Sequence, residues 1–408
     1  MTIASAVAAL GPSPLTEDAV RTHIFPLFSR TLAAPGIYLE NHSLGRPLDQ
    51  TEDDLREAAH LWQTKLGAAW TDWTQAEHDH RSRIAQILHA ERPDCIVPKV
   101  SAGQGLRTVL NALPGTPRVL ATTAEFDSVD IILKQYAAAD RIQLQLVSVH
   151  TTDGALDLTA LEDAIQRPSH ASGAGPDLVI VPQVFFMTSQ ILPHLDRLAA
   201  LCHQHGAHLL VDAYHSIGVF PVDVAAIEAD FLIGGSYKYL RGGPGAGFLY
   251  LSPAALTSGL HPLDIGWFAK EQIFGFDRPN PPRFAAGGDA FLESTPAVFT
   301  YFQARAGQQF TLALGVDRIR AYTLDRLRRL QQYLAAEGIH AHGGDEHHGA
   351  FLTLHHDDSR ALAEALHQRG VHTDARPQTL RLGPDLLSTD ADLRSAAATL
   401  ASILSQGQ

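Results

Sequence analysis

Val211-Asp-Ala-Tyr-His-Ser-Ile-Gly218, followed shortly by Gly235-Ser-Tyr-Lys-Tyr-Leu240, decides how this chain is read. Ala207-His-Leu-Leu-Val211 and Phe231-Leu-Ile-Gly-Gly235 are short apolar runs of the kind that form strands buried on both faces. Each delivers a polar residue where the run ends, Asp212 after the first and Lys238 just beyond the second. Ligands of open α/β sheets sit at that carboxyl edge. A lysine amine paired with an aspartate suits pyridoxal 5'-phosphate: the amine forms a Schiff base with the aldehyde, and the carboxylate keeps the pyridine nitrogen protonated. Either residue alone would be an ordinary surface lysine or turn aspartate. Lys238, however, lies between two tyrosines and before Arg241-Gly-Gly-Pro-Gly-Ala-Gly247, a stretch that permits close backbone approach.

Working outward, apolar strand patterns at 118–123, 143–149, 177–184, 207–213, 230–234 and 247–252 alternate with amphipathic segments such as 195–205, which ends at Gly206. This is the pattern of an α/β fold with a mainly parallel central sheet. The first hundred residues read as helices around the segment Ile37–Pro47, and 261–296, rich in Pro, Gly and Phe, reads as a long connection. Long helices are expected over 298–337, then strand 350–354, helix 358–369, strand 379–382 and helix 389–405, a small C-terminal α+β domain. The expected division is an N-terminal segment 1–50 joining the small domain, a large cofactor-binding domain 51–298 and the small domain 299–408.

A phosphate needs backbone N–H donors at a helix start, and Val100-Ser-Ala-Gly-Gln-Gly-Leu106 offers small residues before an apolar helix, with Gly103 and Gln104 as candidates. Phe126, after the strand at 118–123, could stack on the cofactor ring, and Thr188, after the strand at 177–184, could lie beside it.

Composition narrows the classes. The 408 residues carry a formal charge of -13 and no basic stripe, which argues against a nucleic-acid surface, and no apolar run reaches the ~20 residues of a membrane span. Met1–Leu10 lacks a basic stretch, so no secretory leader is read there and a cytoplasmic location is expected. Cys95 and Cys202 are isolated, which gives neither a disulfide framework nor a cysteine metal site. Among 22 histidines, the pairs His78/His80, His347/His348 and His355/His356 lack metal-binding spacing and are expected to be exposed, with no metal bound.

Asn41-His-Ser-Leu-Gly45, Asp212-Ala-Tyr-His215, Ser236-Tyr-Lys-Tyr-Leu240, Ile265-Gly-Trp-Phe268 and Leu380-Arg-Leu-Gly-Pro384 span most of the chain. Through them it resembles the fold-type I pyridoxal-phosphate enzymes of the class V aminotransferase group, and within that group the kynureninases. The resemblance implies that Lys238 carries the Schiff base, Asp212 faces the pyridine nitrogen, Phe126 stacks on the ring, and His215 and Tyr237 hold cofactor or phosphate. It implies a homodimer in which Trp267 and Thr295 complete the partner's phosphate site. It assigns Arg381 to the substrate α-carboxylate and Asn41 to the substrate, with Tyr237 as proton donor. The implied reaction is hydrolysis of the Cβ–Cγ bond of kynurenine, in tryptophan catabolism. The chain departs from the pattern: Leu66-Gly-Ala-Ala-Trp-Thr-Asp-Trp73 stands where a Gly-His pair and an Arg-Pro-Trp segment are usual. Transamination, epimerisation or elimination on another amino acid is the alternative. Cysteine desulfuration lacks a thiol after the lysine, and a cofactor-binding protein without turnover is the remaining reading.

Overall fold

The computed structural model describes residues 1–167 and 175–406. Its twelve strands are β1 Ile37–Tyr38, β2 Ile96–Lys99, β3 Arg118–Thr122, β4 Gln143–Val147, β5 Leu178–Pro182, β6 His208–Asp212, β7 Phe231–Gly235, β8 Gly247–Leu251, β9 Leu352–His355, β10 Val371–His372, β11 Asp374–Arg376 and β12 Thr379–Leu382. A seven-stranded sheet has the order β2-β8-β7-β6-β5-β3-β4. Within it, β4, β3, β5, β6 and β7 run parallel, and β8 is antiparallel to both its neighbours. The six strands expected from 118 to 252 are all present. The edge strand β2 was not expected, since Pro98 interrupts its pattern, and an edge is where a proline is tolerated.

Successive residues of these strands enter cores on opposite faces. Val179, Val181, Leu209, Val211 and Leu232 pack on one side, Leu178, Ile180, Leu210, Phe231 and Ile233 on the other. Burial on both faces is what makes the runs continuously apolar. It also leaves the carboxyl edge, where Thr122, Pro182, Asp212 and Gly235 end their strands, as the place where polar side chains emerge.

Helices Phe299–Leu314 and Val316–Ala336 lead to an antiparallel sheet of order β11-β12-β9, backed by helices Ser359–Gln368 and Asp390–Gln406. Their core gathers Leu327, Leu330, Leu334, Leu352, Leu380 and Leu393, together with Leu39 from the N-terminal segment. That segment is anchored twice more. Ile24 and Phe28 are buried with Phe310 and Leu387, the Phe28 and Phe310 rings meeting edge to face at 5.5 Å. Fully burying one such ring stabilises by about 3 kcal/mol. β1 pairs in parallel with β10.

Residues 261–296 hold three short 3-10 turns and an antiparallel bridge between Lys270 and Phe284, and Phe268, Phe291 and Leu292 pin them to the large core. The histidine pairs divide: His78, His347 and His355 are exposed, but His80 is fully buried, its Nδ1 accepting from Gln308 Nε2 at 3.0 Å. The helix Trp70–Leu88 turns that face inward, a periodicity that neighbouring polar residues mask. Among the described residues no group of three or more His, Cys, Asp or Glu could hold a metal ion, and no helix is long and apolar enough to cross a membrane.

Candidate active site

The loop after β7 folds back on itself to present its lysine. Ser236 N–H donates to Ala246 O at 2.8 Å, Gly242 N–H to Ser236 O at 2.6 Å, and Arg241 N–H to Lys238 O at 3.1 Å. Gly45 N–H reaches in from the N-terminal segment to Tyr237 O at 2.9 Å. A Cβ at Gly45 would lie 1.8 Å from Lys238 O, so only glycine fits that approach. Beside this contact Asp385 is ion-paired with Arg46 and, at 2.7 Å, with Arg241, tying N-terminal segment, lysine loop and small domain together.

Lys238 is 5% exposed, and its Nζ and His215 Nε2 share a hydrogen bond of 2.7 Å. The amine lies 5.5 Å from the Phe126 and Tyr237 ring centroids and 5.9 Å from Tyr214, within cation–π range. Burial pushes Lys238 down to about 7; the Asp212 charge opposes this, and Arg381 and Arg376 reinforce it. Burial likewise lowers His215 well below the ordinary imidazole range, helped by Lys238, so the ring is neutral. Asp212 is raised by burial, against the pull of Tyr214 N–H, which donates to its Oδ1 at 2.9 Å, and of Lys238. Glu125, also buried, is pushed up to about 8 although Thr122 Oγ1 donates to it at 2.8 Å.

Gly103, Phe126, Asp212, His215, Tyr237 and Lys238 line one cavity of about 650 Å³, within the range of cofactor sites. The helix Ala102–Ala112 opens onto it, capped by Ser101 Oγ, which accepts from Gln104 N–H at 3.2 Å. Its first-turn N–H groups and positive dipole end suit a phosphate. Phe126 is braced edge to face against Phe186 at 5.4 Å. A buried carboxylate, a depressed amine, a braced aromatic face and a helix N-terminus around one cavity fit pyridoxal 5'-phosphate.

The other expected site residues lie elsewhere. Gln104 spends its side chain on structure: Oε1 accepts from Val100 N–H at 2.7 Å and Nε2 donates to Glu293 at 2.9 Å. With Thr295 it lines a separate hollow of about 200 Å³. Trp267 packs in its own chain's aromatic cluster with Trp70, Phe268 and Phe274. Thr188 is half-buried, its Oγ1 accepting from Gln190 N–H at 3.4 Å. Asn41 is buried and donates to Gly383 O at 3.0 Å. Arg381 is buried; its Nη1 donates to Phe186 O at 2.7 Å, its Nη2 to Asp374.

Sequence reading missed Tyr214, Ser43 and Asp374. Tyr214, two residues from Asp212, lines the cavity and packs on Tyr237 at 5.7 Å. Its place in the same octapeptide, Val211–Gly218, was the available signal. Ser43 belongs to a motif already singled out, but its hydrogen bond to Asp374 spans the chain.

A lysine and an aspartate presented by adjacent strands of such a sheet, facing a capped helix across one cavity, are the arrangement of a fold-type I pyridoxal-phosphate enzyme. The family model described as Aminotransferase class-V matches residues 48–381, and the chain belongs to that family. Similar proteins include a kynureninase of Bacillus anthracis, 28% identical over 371 residues (85% of this chain, 83% of the relative). An uncharacterized aminotransferase of Bacillus subtilis is 27% identical over 337 residues, covering 81% of this chain and 84% of the relative. Among solved structures, the cystine C-S lyase C-DES in complex with cysteine persulfide superposes with a TM-score of 0.80 at 20% identity, over 91% of this chain and 98% of that one. The cysteine desulfurase CsdA of Escherichia coli gives 0.78 at 16%, over 97% of this chain and 100% of that one. At those identities the likeness is one of fold. Pyridoxal 5'-phosphate is the cofactor, and amino acids are the substrates.

Proposed function

We propose that this enzyme hydrolyses the Cβ–Cγ bond of kynurenine or a related aryl-ketone amino acid, releasing alanine and an aromatic acid. The observation that carries the reading is the amine of Lys238, buried, hydrogen-bonded to a neutral His215 and depressed by burial and by the charges of Arg381 and Arg376. Similarity to kynureninases over 85% of the chain supports the choice of reaction. Lys238 and Asp212 would hold the cofactor, which would supply an electron sink for charge developing at the substrate α-carbon. Lys238, depressed toward neutrality, takes the Cα proton, while His215 orients it through their hydrogen bond. Tyr237 is raised to about 12 by burial and the nearby Asp212, so its hydroxyl keeps a proton to donate. Arg381 receives the α-carboxylate. Water adds to the side-chain carbonyl, and the Cβ–Cγ bond breaks.

The assembly we propose is a homodimer in which Thr295 and Trp267 reach the partner's phosphate. Leu44, Val100 and Ile131, respectively 46%, 50% and 64% exposed at the cavity mouth, supply apolar surface for a second copy to cover. The second reading keeps the cofactor and changes the reaction to transamination or elimination on another amino acid; the histidine-free stretch Leu66–Trp73 and the aminotransferase relative favour it. Desulfuration through a thiol is disfavoured, because Cys95 and Cys202 are both buried and burial pushes Cys202 up to about 12.

The test is to incubate purified holoenzyme with kynurenine and 3-hydroxykynurenine and follow anthranilate fluorescence. Product absent from a Lys238→Ala control supports hydrolysis. No product above that control refutes it, and a panel of amino acids and keto acids read by cofactor absorbance then identifies the reaction.

A further inference from the structure

We infer that Asp374 is a positioning residue for the substrate carboxylate site, held in place by the N-terminal segment. This rests on the reading above in one respect, that Arg381 receives the α-carboxylate. β11 and β12 form a hairpin whose antiparallel register sets Asp374 directly opposite Arg381. Opposed residues lie about 5 Å apart at Cβ, so the two side chains meet across the strands. Asp374 Oδ2 accepts from Arg381 Nη2 and from Ser43 Oγ, with His42 Nε2 3.5 Å away, while Oδ1 accepts from Arg376 Nη1 at 3.1 Å. Arg381 is 2% exposed, and its Nη1 is fixed on Phe186 O at 2.7 Å. One carboxylate therefore aligns two guanidiniums and is itself gripped by residues more than three hundred positions earlier.

The charge count gives this arrangement its chemistry. Burial lowers His42 to about 4, so it brings no charge. Asp374 stays ionised: burial raises it, but His42, Arg381 and Ser43 together hold it well below the ordinary carboxylate range. Two arginines against one aspartate leave a single positive charge beside Lys238, matched to one carboxylate. A guanidinium has five donors in a fixed fork, so Arg381 can serve Asp374 on one side and a ligand on another. Without Asp374, Arg381 keeps its charge and its bond to Phe186 O but loses the contact that fixes the other arm of its fork. The effect falls on ligands that carry an α-carboxylate and spares those that do not.

The experiment titrates holoenzyme with L-alanine and with L-alaninamide, which lacks the carboxylate, and reads binding from the cofactor's visible absorbance rather than from turnover. Asp374→Asn should weaken L-alanine about tenfold, the scale of a lost charge-assisted hydrogen bond, and leave L-alaninamide within about twofold. Ser43→Ala, which removes one donor to Asp374 and keeps its charge, should weaken L-alanine in the same sense by a few-fold. If Asp374→Asn fails to fold, Ser43→Ala decides alone. Equal weakening of both ligands, or of neither, overturns the inference. Arg381→Met separates the two readings. L-alanine bound as tightly as by wild type would overturn the carboxylate assignment itself. Loss of L-alanine binding there, with Asp374→Asn and Ser43→Ala unaffected, would overturn only the role of Asp374.

Discussion

Replacing Asp385 with asparagine tests how the lysine loop is held. Asp385 is 5% exposed between Arg46 and Arg241. Burial alone would raise its carboxyl, yet the two guanidiniums outweigh it and hold the group at about 2. Keeping it there rather than at the ordinary 3.8 corresponds to about 2.5 kcal/mol of pH-dependent stability. The folded-state value lies below the unfolded one, so this stabilisation is complete above about pH 4 and is lost as pH falls toward 2. At pH 7 the variant loses more than this, because two largely buried arginines are left without their counter-ion; about 3–5 kcal/mol is the scale for such a break. The assay is a urea midpoint at pH 7 and again at successively lower pH, with cofactor absorbance as a second probe. Asp385→Asn should unfold at much lower urea at pH 7 and release cofactor early, and its gap to wild type should narrow by about 2 kcal/mol as both approach pH 2. A variant within about 1 kcal/mol of wild type at pH 7 would show that the bridge does not hold the loop.

Gly45→Ala should cost more than about 3 kcal/mol and impair cofactor retention, because its Cβ would sit on Lys238 O; Gly67→Ala, which meets nothing within 4 Å, should be neutral or slightly stabilising by thermal melting. Cofactor capture by the apoenzyme, followed by stopped-flow absorbance, should accelerate from about pH 6 to 8 as Lys238 loses its proton; a rate flat until pH 9 would contradict the depressed amine. Cys95 and Cys202 should resist thiol reagents in the native protein, and activity should survive the treatment, since burial raises both thiols. Phe126→Ala should weaken cofactor affinity about tenfold by equilibrium dialysis, through loss of the braced ring beside Lys238.

The strands and the pair Asp212/Lys238 were legible because both depend on local pattern: an apolar run of fixed length, then a polar residue where it stops. Phe126 followed from the same rule, just beyond a strand end, and Gly103 from the small residues that open an apolar helix. Gln104 was named for the donors of a helix start, and its side chain has a local role of its own. Ser101-Ala-Gly-Gln104 is a capping pattern, and the glutamine serves the helix start rather than the cavity. Asp374 was invisible for a different reason: its importance comes from the register of a hairpin and from Ser43, a residue 331 positions away. His80 was misplaced because its burial depends on Gln308, on a helix far along the chain.

Arg46 and Asp385 are 339 residues apart in the chain. At a synthesis rate of about 5–20 residues per second, tens of seconds separate their emergence from the ribosome. The parallel sheet and the lysine are thus made long before the clasp that steadies them can close. A nascent chain stalled before Asp385 carries the reactive amine on a loop without that clasp.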